Sequence, residues 1–185
     1  VNNCINVSQV TQVTPIFVAL MPVIARHSLP QEPFDDLISA FEMDQTKTRY
    51  ETWDEVIRYC KLSADPVGRL VLMLLGERRD EECLRASDAV CTALQLTNHW
   101  QDARRDLLER DRIYIPRDFW KVDRFEQRLV STCRQGYAPD QMFLQSWRES
   151  VRELTLRTWE LFESGSSLLP MLQPQHRPLI WLFIA

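Results

Sequence analysis

The sequence predicts an all-α protein, and three observations carry that prediction. Apolar residues return at i, i+3 and i+4 spacing in one segment after another. Gly is scarce, at 4 in 185 residues, while Leu, Arg, Glu and Gln are abundant and β-branched runs are few. No βαβ alternation, internal repeat or low-complexity block interrupts the pattern. The length suits one domain with a core of its own, and 45% apolar with 26% charged residues is ordinary for a globular chain.

The polar opening, residues 1–13, carries no periodic pattern and stays unassigned; the helical domain is expected over 14–185. Pro15 fits the first turn of a helix bearing Ile16, Ala19, Leu20, Val23 and Ile24, which Pro22 interrupts or kinks and Pro30 closes. A second helix is expected to turn Phe34, Leu37, Ile38 and Phe41 inward and to end near Asp44. Thr52, with Glu55 three residues on, makes a capping box for a third helix carrying Val56, Ile57 and Tyr59. Pro66 should bend the chain. Beyond it, residues 70–75 are apolar on every side, as in a central helix, until Gly76 stops them.

After a charged loop to Glu82, a long helix is expected over about 87–110, giving way to an extended Ile113-Tyr114-Ile115 that Pro116 ends. Asp118 can cap a helix with Phe119, Val122, Phe125 and Leu129 apolar, ended by Gly136. Ala138-Pro139-Asp140 opens another, through Phe143, Trp147, Val151, Leu154, Leu161 and Phe162 to Ser164-Gly165-Ser166. The chain opens at Val1 and stops in an apolar run, Leu179 to Ala185, without a helix stop signal. That pattern reads as a piece of a longer protein.

Several function classes lose support. A net charge of −4 argues against non-specific nucleic-acid binding. No stretch reaches the ~20 apolar residues of a membrane span. Five cysteines, odd in number and without metal-type spacing, favour a reducing compartment. Asn6-Val7-Ser8 has the form of a glycosylation sequon, but nothing like a signal peptide precedes it. His27, His99 and His176 lie far apart, no Ser or Cys sits in a nucleophile elbow, and no Gly-rich phosphate loop occurs. His99, alone on a helix flank, is expected to be structural.

What remains is one stripe on the long helix. At ~100° per residue, Gln95, Asn98, Asp102 and Asp106 fall within an arc of roughly 80°. Two carboxylates at i and i+4 repel, and a divalent cation offsets that cost; Mg²⁺ takes one or two carboxylates and completes its shell with water and phosphate oxygens. The alternative is a solvated acidic face with Arg104 and Arg105 beside it. Ser63, Ala64 and Gly68 are similarly two-sided: a shallow channel for an apolar chain, or close helix packing.

Gln95-Leu96-Thr97-Asn98 with Asp102, Asp106 and Arg112-Ile113-Tyr114-Ile115-Pro116 resembles the second aspartate-rich motif of the squalene and phytoene synthase family. Tyr59-Cys60 with Ser63-Ala64-Asp65-Pro66-Val67-Gly68 is similar to that family's tyrosine–cysteine segment, and Phe34 through Thr52, with Asp44 and Tyr50-Glu51-Thr52, to the segment before it. Residues 65–72 and the run from Arg177 look most like its hopanoid-pathway (hydroxy)squalene synthase branch.

The resemblance implies an all-α isoprenoid synthase bundle, here incomplete. It implies head-to-head prenyl diphosphate chemistry with Mg²⁺, turning presqualene diphosphate, made from farnesyl diphosphate, into hydroxysqualene or squalene. By position, Asp102 and Asp106 would bind metal; Gln95 and Asn98 would contact metal-bound water or diphosphate; Tyr59, Ala64, Val67 and Gly68 would line the prenyl channel, with Tyr59, Gln95 and Asn98 counted as catalytic. The implied partners are a prenyl diphosphate and no nucleic acid, with a cytoplasmic location that allows peripheral membrane contact for product release and contact with other hopanoid-pathway enzymes. Phytoene synthesis and a non-catalytic assembly role are the alternatives. The family's first Asp-x-x-x-Asp motif has no counterpart before Thr14, so the chain as given is expected to be marginally folded, self-associating and without turnover.

Overall fold

Capping residues set the helix boundaries in the computed structural model, which describes residues 15–135 and 140–184. Thr52 accepts a hydrogen bond from Glu55 N (3.3 Å) at the head of α3 (Trp53–Ser63). The Glu55 carboxylate reaches back to Glu51 N at 2.8 Å, one residue beyond the amide that a capping box uses. Asp80 caps α5 (Glu81–Gln101) through Cys83 N, and Asp140 caps α8 (Gln141–Gly165) through Phe143 N, both at 3.1 Å. Pro66 sits in the first turn of α4 (Asp65–Leu75), where it separates that helix from α3 instead of bending one long helix. Gly76 then ends α4 in the left-handed conformation, φ 68°.

The chain divides into two units between Gln31 and Glu32. In the first, α1 (Pro15–His27) runs through Pro22 without a break and ends at Ser28, whose φ is 49°. The polar segment 1–13, with Cys4 and Asn6, lies outside the described residues, as do Gly136, Ala138 and Pro139.

The second unit holds α2 (Glu32–Asp44), α3, α4, α5, α6 (Ala103–Arg110), a 3-10 turn at Arg117–Phe119, α7 (Phe125–Gln135), α8, α9 (Leu168–Met171) and α10 (Arg177–Ile184). Among the described residues every regular element is a helix; a single parallel bridge joins Arg49 to Ile113. The all-α prediction holds.

Three boundaries differ from the sequence expectation. The long helix begins at Glu81, because Asp80 supplies the cap, and it kinks at Asp102 (φ −91°, ψ 5°) into α6. Hydrogen bonds bracket that kink, Asp102 N to Asn98 O and Asp106 N to Asp102 O, both 2.9 Å, so the helix axis bends without opening a loop. Asp118 caps no helix: the chain makes only the 3-10 turn there, and α7 starts after Arg124, which takes a left-handed φ of 55°. On α2, Pro33 and Ala40 are buried, whereas Ile38 and Phe41 are exposed.

α5 is the axis of the second unit. It packs along α8 over its greatest length, and along α4 and α3 as well. Three apolar clusters surround it: Leu107, Ile113, Ile115, Phe125 and Phe143 at one end, Tyr50, Val56, Tyr59, Leu96 and Tyr114 in the middle, and Leu72, Ala86, Val90, Leu168 and Ile180 at the other. The α4–α5 pair is antiparallel, with Asp65 beside Thr92 (2.8 Å) and Arg69 doubly bonded to Asp88 (3.0 and 2.7 Å).

Candidate active site

The C-terminal half of α5 and its continuation α6 form one wall of a cleft of about 330 Å³ whose lining is almost wholly polar. Gln95, Asn98, His99, Asp102, Arg105, Asp106 and Arg110 come from these two helices. Asp44, the last residue of α2, and Tyr59 of α3 face them. Arg112 and Tyr114 complete the lining from the extended segment after α6. That segment alternates as a strand does: Ile113 and Ile115 enter the core while Arg112 and Tyr114 face the cleft. Arg49 fixes it in place, donating to Asp111 O, to Asp111 Oδ1 at 2.9 Å and to Glu126 Oε1 at 2.9 and 2.7 Å.

Asp44, Arg112, Tyr59 and Tyr114 make one hydrogen-bonded group. Arg112 donates to Asp44 O (2.7 Å) and Tyr114 Oη (2.9 Å), with its Nη1 also 2.9 Å from Asp44 Oδ1. Tyr59 Oη donates to Asp44 Oδ2 at 3.2 Å. Burial raises the pKa of both tyrosines, and the neighbouring Tyr114 hydroxyl adds to the rise at Tyr59, so the two phenols are proton donors at neutral pH and not bases. His99 is buried and its pKa is lowered to about 3, by desolvation first and by Arg112 second. It is a neutral ring, and its Nε2 has no hydrogen-bond partner among the described residues.

The carboxylates differ. Asp102 pairs with Arg105 at the cleft edge, while Asp106 is almost fully buried and pairs with Arg110 at 3.0 Å. Burial pushes the Asp106 carboxyl above its ordinary range, with Asp102 adding repulsion against the pull of Arg110. Added positive charge is therefore favourable here. Two carboxylates and two side-chain amide oxygens on one face are hard oxygen donors in the number Mg²⁺ takes when water and a ligand supply the rest. Among the described residues no three His, Cys, Asp or Glu converge, which disfavours a fully protein-held ion. The residues present fit Mg²⁺ shared with an anionic ligand.

A second, apolar cavity of about 170 Å³ lies along the N-terminal half of the same helix. Ser87, Val90, Cys91 and Leu94 of α5 face Val67, Gly68, Val71 and Leu72 of α4, with Leu168, Ile180 and Phe183 closing it. Gly68 is needed for the approach: a Cβ there would stand 2.5 Å from Cys91 Sγ and 2.6 Å from Ser87 Oγ. Ser87, Cys91, Leu94, Asn98 and Asp102 follow one another at three- or four-residue steps, with Gln95 beside Leu94, so a single stripe of α5 lines first the apolar cavity and then the polar cleft.

Of the residues singled out in the sequence, Tyr59, Gln95, Asn98, Asp102 and Asp106 share the polar cleft, and Val67 and Gly68 line the apolar cavity. Ala64 is buried at the α3–α4 junction and lines neither. Tyr59 and Gly68, expected in one cleft, lie in two. Sequence reasoning gave no role to Asp44, Arg105, Arg110, Arg112 or Tyr114. The Arg-x-Tyr alternation opposite Ile-x-Ile was the available signal for the last two.

A family model described as squalene/phytoene synthase matches residues 2–185. The chain belongs to the squalene/phytoene synthase family. It is 50% identical over 101 residues to the hydroxysqualene synthase of Sinorhizobium fredii, covering 55% of this chain and 34% of that protein. With the hydroxysqualene synthase of Rhodopseudomonas palustris the identity is 47% over 104 residues, covering 56% and 35%. The solved structure of squalene synthase HpnC from Alicyclobacillus acidocaldarius superposes with a TM-score of 0.77 at 40% identity, over 92% of this chain and 61% of that one. The matches thus span about a third of these family relatives and under two thirds of the solved synthase. Among the described residues, no helix of this family member is long and apolar enough to cross a membrane.

Proposed function

We propose that this chain binds a prenyl diphosphate lengthwise along α5, head in the polar cleft and hydrocarbon in the apolar cavity, as part of a synthase acting on presqualene diphosphate. The observation that carries this is the shared stripe. Cys91 and Asn98 are seven residues apart, roughly 10 Å along the helix, a separation matched to an amphiphile with an anionic head and an apolar tail. The identity to hydroxysqualene synthases favours presqualene diphosphate over phytoene chemistry.

In this proposal Arg112 and Arg105 donate to diphosphate oxygens, and Asn98 and Gln95 orient them. Asp102 and Asp106 would hold Mg²⁺, which when bound would supply charge neutralisation and a template for the departing diphosphate. Tyr59 and Tyr114, kept protonated, donate without abstracting a proton. The carbon–oxygen bond breaks with its electron pair leaving on diphosphate. Val67, Val71, Leu94 and Phe183 exclude bulk water from the resulting carbocation, leaving access for a single water. Addition of one water and loss of a proton gives hydroxysqualene.

The test is calorimetric titration with the unreactive farnesyl thiodiphosphate, with and without Mg²⁺, followed by product analysis from presqualene diphosphate in a full-length homologue carrying this segment. Mg²⁺-dependent binding that Asp102→Asn abolishes is the expected result. Binding indifferent to both Mg²⁺ and Asp102 would sink the proposal.

A further inference from the structure

Glu77 follows Gly76 in the connection between α4 and α5, and its amide donates to Leu72 O at 2.9 Å, which ties it to the last turn of α4. Its side chain is 1% exposed, yet among the described residues no Lys or Arg forms an ion pair with it. Both its oxygens accept from Gln173 N, at 3.1 and 3.2 Å, and Oε1 lies 2.6 Å from His176 Nδ1. Gln173 Nε2 returns a bond to Gly76 O at 3.2 Å. Burying a carboxylate is costly unless donors surround it, and here the donors come from the turn that delivers α10.

α10 has little else tying it to α4. It packs chiefly on α9 and α5, and it leaves Trp181 and Leu182 exposed. Arg177 bonds back to Leu172 O (2.9 Å) and Pro170 O (3.1 Å), which stiffens the α9–α10 turn without attaching it to α4. His176 O accepts from Ile180 N at 3.2 Å, so the residue gripped by Glu77 also starts the helix. One turn on, Ile180 and Phe183 close the apolar cavity opposite Val67, Gly68 and Val71 of α4.

We infer that Glu77 is a positioning residue that holds α10 against α4 and so sets how long a hydrocarbon chain the apolar cavity accepts. The inference rests on the prenyl-chain reading of that cavity. Glu77 precedes α5 and lies about 25 Å along its axis from Asn98, so it acts on chain fit without touching the head-group cleft.

The experiment compares wild type, Glu77→Ala, Glu77→Gln and His176→Ala of the full 185-residue chain by two measurements. The first is affinity for farnesyl and geranylgeranyl thiodiphosphate, with inorganic diphosphate as the head-group control. Glu77→Ala should change the farnesyl-to-geranylgeranyl ratio about five- to tenfold, with diphosphate affinity unchanged. Glu77→Gln, whose amide oxygen still accepts from Gln173 N, should restore the ratio. His176→Ala should shift it the same way by less, and it serves if Glu77→Ala does not fold. A residue that only stabilised the fold would weaken both chains in proportion; an unchanged ratio overturns the inference.

The second measurement is hydrogen exchange. Loss of amide protection in α10, with α5 and α8 unaffected, is expected for Glu77→Ala, and unchanged α10 protection overturns the latch. If wild type binds neither thiodiphosphate, the prenyl-chain reading and the chain-length role of Glu77 fall together, while exchange still decides whether Glu77 holds α10.

Discussion

His99 lies flat on Tyr114, with ring centroids 3.5 Å apart and planes 14° from parallel. Tyr114 stacks in turn near Tyr50 and Tyr59, at 5.5 and 5.6 Å, so His99 backs the aromatic group behind the cleft. Burial first and the Arg112 guanidinium second keep this imidazole neutral. Its pKa of about 3 lies below the unfolded value, so the unfolded chain binds the proton more tightly between about pH 3 and 6.5. Stability should be unaffected by His99 above that window and should fall as pH drops through it. Denaturation of wild type and His99→Phe from pH 4 to 7 checks this: the variant should lose less stability on acidification.

Asp65 gives the opposite slope. Burial, with Asp88 nearby, raises its carboxyl to about 7 although Thr92 donates to it at 2.8 Å. The folded chain therefore holds this proton more tightly than the unfolded chain, and that stability is lost as pH climbs from about 4 to 7. Asp65→Asn should raise the melting temperature at pH 8 and change it little at pH 5. Equal shifts at both pH values would mean the carboxyl ionises freely.

The two aspartates of the cleft separate in their apo behaviour. Asp102 forms a partly exposed pair with Arg105, of a kind worth under about 1 kcal/mol, so Asp102→Asn should leave thermal stability nearly unchanged. Asp106→Asn removes a carboxylate that burial disfavours and should raise apo stability. Both should abolish Mg²⁺ binding, as followed by calorimetry. A large loss of apo stability on either change would mark that residue as structural.

Gly165 lets α8 pass close to α5. An added Cβ would stand 2.6 Å from Val90 Cγ2, 3.0 Å from Val90 N and 3.2 Å from Ala86 O. Backbone cannot step aside, so Gly165→Ala should cost about 1–3 kcal/mol in chemical denaturation. Gly68→Ala meets only the tips of Cys91 and Ser87 and should cost less, while narrowing the apolar cavity.

Much of the fold was legible because its signals are local. Thr52 and Asp140 open helices and Gly76 stops one, as their types announce, whereas the Asp80 cap was missed and Pro66 separates two helices instead of bending one. Local signals also put Gln95, Asn98, Asp102 and Asp106 on one face, and all four line the cleft. Elements that depend on distant partners were not legible. Ile38 and Phe41 have helical apolar spacing but face outward, and the kink at Asp102 has no Gly or Pro to announce it. Asp44 enters the cleft only because Arg112, 68 residues away, folds against it.

The stripe on α5 also limits how this protein can vary in evolution. Substitutions off the stripe change packing alone, but one residue inserted between Cys91 and Gln95 would rotate everything beyond it by about 100° and advance it by ~1.5 Å. Asn98 and Asp102 would then turn away from Asp44 and Arg112 while Ser87 and Cys91 stayed in place. Residue identity is negotiable only off the stripe; along it, both identity and count are constrained. Homologues able to process the same ligand should differ in length in loops such as 120–124, and never between Ser87 and Asp102.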